Sequence, residues 1–233
     1  MSRGYALGRG GTVTRLTGAK ARSDVILTIS RAYGAAGLVV ADGTAAVLGY
    51  DLLTDDLPKT VAQRLGTSPA EVTARASQPQ SLSERILGGL GVGTPESISP
   101  VATPLPGDFD ESMRREIERT IRERAVAGNI VILGRNAGSV LAGRGDLVRV
   151  FLTGARPWRI ARLVDAFALS PAEAEADLER VDAARRAFAK ERYKIVFGDA
   201  RFYDLTLDVS RFGVPNAVDL IVAAVRAAER ERP

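Results

Sequence analysis

The apolar positions of this chain fall into short β-branched runs separated by stretches with helical spacing. Residues 25–29 are dense enough in Val, Ile and Leu to predict a strand buried on both faces. A small-residue turn bracketed by Gly34 and Gly37 follows, and apolar residues resume at Leu38, Val39, Ala41, Ala45 and Leu48, the spacing of a helix that Gly49 ends. Residues 50–53 predict a second short strand, with Thr54 or Asp55 as the cap of a following helix. Helical patterns then cover about 57–65, 69–76 and 81–90, before residues 88–107, which hold five Gly and four Pro and predict a loop. Asp108 or Asp110 is placed to cap a long helix through Ala127, closed by Gly128. Strands are predicted at 129–133, 147–152 and 204–209, and helices at 137–141, 157–168 and 215–229. Between them Ser170-Pro171-Ala172-Glu173 combines a cap, an N1 proline and an N3 acid, and the helix it starts runs from acidic to basic along its dipole. Strands alternating with helices imply an α/β fold, a mostly parallel sheet of about five strands covered on both faces.

Composition narrows the chemistry. The chain has 233 residues, an apolar share of 45%, no Cys and no His. Thiolate and imidazole chemistry are excluded, as are Cys and His metal sites. Arg, Lys, Asp, Glu, hydroxyls and backbone amides remain, a set that suits phosphoryl transfer, where positioning and charge stabilisation do most of the work. The net charge of +4 is unevenly placed: residues 1–23 hold five basic residues and no acid, leaving the body close to neutral. That stretch lacks hydrophobic periodicity and is expected to be a disordered extension, solubilising or vector-derived rather than a nucleic-acid arm. With no apolar run of about 18 residues and no cleavable leader pattern, a cytoplasmic protein with no membrane partner is expected.

Ligands of an open parallel sheet bind beyond the carboxyl ends of its strands. Three segments converge on that edge: Ser30-Arg31 through Gly37, Thr54-Asp55-Asp56, and Gly134-Arg135-Asn136. Amides at the start of the first helix suit a phosphate, although the loop could also be an ordinary βα turn. Arg135, directly after a buried strand and next to Gly, suits a forked phosphate donor or a structural salt bridge. A second basic set comprises Arg159 and Arg162 on one helix face and Arg180, Asp182, Arg185 and Arg186 on the next. There Asp182 is expected to pair with Arg185 or Arg186, and a solvated helix face is the alternative for the whole set.

With these segments in view, residues 24–228 resemble the cytidylate kinase-like family, relatives of bacterial cytidylate kinases among the P-loop nucleoside monophosphate kinases. Members typically read I-T-I-S-R-x-Y-G-S-G-G-R-E near the start, and this chain reads LTISRAYGAAGLV over 27–39. Their V-I-V-G-R resembles 130–135, their V-F-I-x-A-P-x-x-x-R-I-x-R resembles 150–162, their V-D-x-x-R resembles 181–185, and their Y-D-L-x-L-x-T-S resembles 203–210. The resemblance implies a core at 24–54 and 109–233, a substrate-side insertion at about 55–108 and a lid at about 178–200. It further implies an ATP phosphate loop at Gly34, Ala35, Ala36 and Gly37 with Arg31 beside it, and magnesium accompanying the nucleotide. Arg135, with Asp55 and Asn136, would hold the acceptor. Arg180, Asp182 and Arg185 would close over the transferring group, with Arg159 or Arg162 near ATP, and unpaired lid arginines would hold the cleft open until anions arrive.

The chain departs from that pattern at informative places. Leu38 occupies the loop's basic position, and Val39 has no oxygen for magnesium. Ala36 replaces a Gly, Asn136 stands where cytidylate kinases carry Asp, and Thr54 where relatives often carry Asp. The leading expectation is an ATP-dependent phosphotransferase acting on a nucleoside monophosphate or similar small acceptor. Its rival is a catalytically degenerate nucleotide-binding or scaffold protein of the same fold. The oligomeric state is left open.

Overall fold

The computed structural model of the chain describes residues 24–54 and 107–231. The tail at 1–23, the small helices expected between 55 and 90, the Gly/Pro-rich segment up to 106 and Asp55 lie outside the described residues. Five strands form one parallel sheet in the order β2-β3-β1-β4-β5: β1 (Ile26–Arg31), β2 (Asp51–Leu53), β3 (Ile130–Leu133), β4 (Leu147–Thr153) and β5 (Leu205–Asp208). The connecting helices are α1 (Gly37–Leu48), α2 (Gly107–Ala125), α3 (Ala137–Val140), α4 (Arg156–Phe167), α5 (Pro171–Tyr193) and α6 (Val209–Arg230), with a 3-10 turn at Ala200–Phe202. The α/β class, the strand count and the parallel direction agree with the sequence expectation.

The sheet's two faces are covered because every central strand is apolar on both sides. Leu27 and Ile29 of β1, Val131 of β3 and Leu152 of β4 pack on α1 and α6 through Val40, Ala41, Ile221 and Val225. Ile26, one position out of phase, joins Leu53, Ile130 and Ile132 against Ile121 and Ala125 of α2 and Ala137 and Val140 of α3. A third cluster joins the loop after β1 to two helices: Tyr33 is buried among Leu163 of α4 and Ala174, Leu178 and Val181 of α5. Helix α5 thus packs on α4 and on the loop after β1.

Local signals explain most boundaries. Ser170 and Glu173 make both bonds of a capping box: the Ser170 hydroxyl accepts from the Glu173 amide and the Glu173 carboxylate accepts from the Ser170 amide at 2.8 Å. Two expectations need correction. Helix α2 is described from Gly107, so Asp108 and Asp110 lie within it rather than before it. Leu38 and Val39 are 42% and 54% exposed, while α1 turns Val40, Ala41, Thr44 and Ala45 inward. Helix α6 begins at Val209 rather than Pro215, because the Asp208 carboxylate accepts from the Ser210 and Arg211 amides and opens a first turn, which Gly213 interrupts at φ 75°.

Candidate functional site

The loop between β1 and α1 is shaped by alternating backbone handedness. Gly34 (φ 76°) and Ala36 (φ 58°) are left-handed, whereas Ala35 is not and Gly37 has entered the helix. Such alternation turns successive amides inward into an anion-binding concavity. The first bond within α1 runs from the Val40 amide to the Ala36 carbonyl at 3.1 Å, so the helix itself uses none of the preceding amides. No side chain caps this end. A helix start left open in this way suits an anion, by backbone alone. Ala36 holds its left-handed conformation against its Cβ, so Ala36→Gly is expected to stabilise the fold by about 0.5–1 kcal/mol, less than the full left-handed penalty because glycine also loosens the unfolded chain. Urea denaturation of the two proteins would show it as a higher midpoint at unchanged slope.

The loop is clamped from outside. The Tyr33 amide donates to Asp182 Oδ1 at 2.8 Å, and Arg159 Nη1 donates both to the Tyr33 carbonyl at 3.0 Å and to Asp182 Oδ2 at 2.6 Å. Arg159 Nε donates to the Gly154 carbonyl at 3.0 Å, so the guanidinium is fixed on both edges. The two side chains are only 12% and 11% exposed. A pair this buried is sustained by its geometry and its extra hydrogen bonds, and here those bonds grip the Tyr33 peptide from its two sides. Gly34 is required beside it: a Cβ there would lie 2.9 Å from the Arg159 carbonyl oxygen. The expected pairing of Asp182 with Arg185 or Arg186 is therefore corrected to Arg159. Asp182 sits on the α5 face that carries Leu178 and Val181 toward Tyr33, while Arg185 reaches past it, donating from Nη1 to the Arg31 carbonyl at 3.2 Å and lying 5.5 Å above the Tyr33 ring.

The turn after β3 lies alongside. Gly134, Arg135 and Asn136 are three consecutive left-handed residues, at φ 78°, 55° and 49°. The Gly134 amide donates to the Ile29 carbonyl at 2.8 Å, tying the turn to β1. Arg135 stores strain of order 1–2 kcal/mol there, whereas Asn136 tolerates this region, and such strain concentrates where a loop has a task. Asn136 precedes α3 without capping it, and with Ser30, Ser139, Arg149 and Tyr203 it borders a cavity of about 150 Å³. Arg149 is held there by a forked ion pair to Asp204, 2.8 Å from Nη2 to Oδ1. Burial pushes the Tyr203 phenol above its ordinary value despite hydrogen bonds to Ser30 and Gly198.

Residues 26–211 match the family described as the cytidylate kinase-like family. The chain belongs to that family. It is 26% identical over 123 residues to a cytidylate kinase of Halobacterium salinarum, a stretch covering 53% of this chain and 64% of that protein's length. A cytidylate kinase of Methanopyrus kandleri is 30% identical over 151 residues, 59% of this chain and 74% of that protein. Among solved structures, an uncharacterised protein from Eubacterium ventriosum superposes with a TM-score of 0.64 at 18% identity, over 87% of this chain and 99% of that one, and shares the fold.

Of the residues singled out from the sequence, Arg31, Gly34, Ala35, Ala36, Gly37, Arg159, Asp182 and Arg185 come together around the loop, with Arg135 and Asn136 on the neighbouring turn. Arg180 bonds Asp177 on its own helix at 2.7 Å, and Arg162 lies 5.0 Å over the Trp158 ring. Neither of those contacts ties its arginine to the loop. Tyr33 was not anticipated, although an aromatic residue inside a small-residue loop was the available signal. Val39 is hydrocarbon, and no group of three or more His, Cys, Asp or Glu that could hold a metal occurs among the described residues, while magnesium that travels with a nucleotide takes most of its ligands from phosphate and water. No helix among the described residues is long and apolar enough to cross a membrane.

Proposed function

We propose that this chain is an ATP-dependent phosphotransferase of the nucleoside monophosphate kinase type, moving a γ-phosphoryl group to a nucleoside monophosphate or a similar small acceptor. The observation that carries this reading is the juxtaposition of an anion-shaped loop at Gly34–Gly37 with the strained, arginine-bearing turn at Gly134–Asn136, bonded to the same strand on one sheet edge. Donor phosphates rest on the loop amides, and Arg135 orients the acceptor. An acceptor oxygen then forms its bond to the γ-phosphorus as the bond to the β-γ bridging oxygen breaks, and ADP leaves with that electron pair. Arg185 contributes fixed positive charge beside the loop, and the Arg159–Asp182 pair keeps the amides aimed before the reaction, so none of the reorganisation falls in the transition state. Magnesium enters only as the companion of ATP, and no described side chain is assigned to it.

A coupled assay across CMP, dCMP, UMP and AMP tests this. Turnover of at least one acceptor is expected, with Arg135→Ala lowering kcat/KM by about 10–100-fold, the loss of one charge-assisted contact. Equal turnover by the variant would remove Arg135 from the site. The exposed apolar pair Leu38–Val39 favours the second reading, a nucleotide-binding protein that no longer transfers phosphate. Calorimetry separates the two: tight ATP binding without turnover on any acceptor supports the nucleotide-binding protein, and absence of both leaves only a scaffold.

A further inference from the structure

The loop's own basic position is vacated by Leu38, yet a basic side chain from the preceding strand crosses the start of the same helix. Arg31 is the last residue of β1, and its side chain runs across the first turn of α1. A Cβ on Gly37 would lie 2.7 Å from Arg31 Cδ and 3.2 Å from its Nε. At the far end, a Cβ on Gly134 would collide with Arg31 Nη1. Both glycines therefore leave room for one side chain, which spans from the donor loop to the acceptor turn. Behind it, Arg185 is hydrogen-bonded to the Arg31 carbonyl, and Arg135 follows Gly134 directly.

We infer that Arg31 is a phosphate ligand that stands in for the basic residue missing at Leu38, its guanidinium lying between the donor and acceptor phosphates. This deepens the phosphotransferase reading and takes from it the identity of the anions. A guanidinium suits that place better than an ammonium, because its planar fork can bind oxygens of two neighbouring groups at once. The alternative is a spacer that merely keeps Gly37 and Gly134 apart. A spacer, when lost, weakens every ligand of the site alike, whereas a phosphate ligand discriminates by the number of phosphates.

The test uses the full chain and three probes, inorganic tripolyphosphate, ATP and AMP, in calorimetry. Arg31→Ala is expected to lower affinity for tripolyphosphate and ATP by about tenfold or more, the loss of a charge-assisted bond, and AMP affinity by less. Introducing Leu38→Lys into that variant returns a cation to the loop and is expected to recover most of the lost affinity for ATP. Recovery also guards against misfolding, since a collapsed variant is not restored by a surface lysine. Wild-type affinity for tripolyphosphate in Arg31→Ala overturns the inference, and so does an equal loss for all three probes that Leu38→Lys leaves unrepaired. If the wild-type protein binds tripolyphosphate through Arg31 but turns over no acceptor, the inference stands and the transfer reading fails. If the wild-type protein binds no polyphosphate, both fail.

Discussion

Replacing Asp182 with alanine is expected to lower the unfolding free energy by about 3 kcal/mol, the lower end of what breaking one side of a buried ion pair costs. The carboxylate has two separate tasks, accepting the Tyr33 amide and neutralising Arg159, and both side chains are about nine-tenths buried. Alanine leaves a guanidinium without its counter-charge and an amide without its acceptor. Asp182→Asn keeps an oxygen for Tyr33 while losing the charge, so its cost should fall between those of wild type and Asp182→Ala. Arg159→Ala should cost about as much as Asp182→Ala, and the double variant less than their sum, because each single change already breaks the shared contact. Urea denaturation of the set measures the stability, and ATP calorimetry reads the loop. A loss under about 0.5 kcal/mol with wild-type ATP affinity would show that the clamp does not shape the site.

The clamp also revises the part that α5 plays. The lid expectation supposes unpaired arginines that repel one another, but Arg159 is bonded to Asp182, Arg180 to Asp177, and Arg185 to the Arg31 carbonyl. The far end of the helix is fastened as well. The Tyr193 hydroxyl donates to Glu118 of α2 at 3.0 Å, and burial together with that carboxylate pushes the phenol well above its ordinary value. At its start, Arg156 of α4 reaches Glu175 at 2.9 Å and Glu179 at 2.6 Å. Exposed pairs of that kind contribute little, so the docking rests on Leu178, Val181 and the buried clamp. In this conformation Asp182 positions the Gly34–Gly37 loop through Tyr33.

What the sequence made legible follows from which interactions are local. Strands β1, β3 and β4 are readable because a strand buried on both faces must be apolar almost throughout, and α5 because a capping box is written in four adjacent residues. The converging loops are readable because parallel strands put all their carboxyl ends on one edge. The Asp182–Arg159 pair is not, since it joins residues 23 apart on separate helices and competes, in the sequence, with nearer arginines. Nor is the Arg31 channel, which exists only because Gly37 and Gly134, far apart in the chain, face one side chain from two loops.

The second large effect is expected at Gly34. Alanine there faces two costs of different kinds. The left-handed backbone at φ 76° is unfavourable for any residue with a Cβ, by about 1–2 kcal/mol. The new methyl would also lie 2.9 Å from the Arg159 carbonyl oxygen and 3.1 Å from its Cβ, which belong to α4 and are held by the clamp itself. Because the obstacle is backbone, relief requires moving either the loop or the helix, and both routes break the bonds that shape the amide concavity. Gly34→Ala is therefore expected to lose about 2–3 kcal/mol of stability and at least about tenfold in ATP affinity. Gly37→Ala is the informative contrast. Its backbone is helical and its obstacle is the flexible stem of Arg31, so the side chain can swing aside at a stability cost within about 1 kcal/mol. Affinity for ATP should nonetheless fall, because the guanidinium leaves its place between the two loops. Thermal or urea unfolding beside calorimetry on the two variants resolves the mechanisms: the first should move both readouts and the second chiefly one. A Gly34→Ala protein as stable as wild type would mean that the loop does not rest on Arg159 at all.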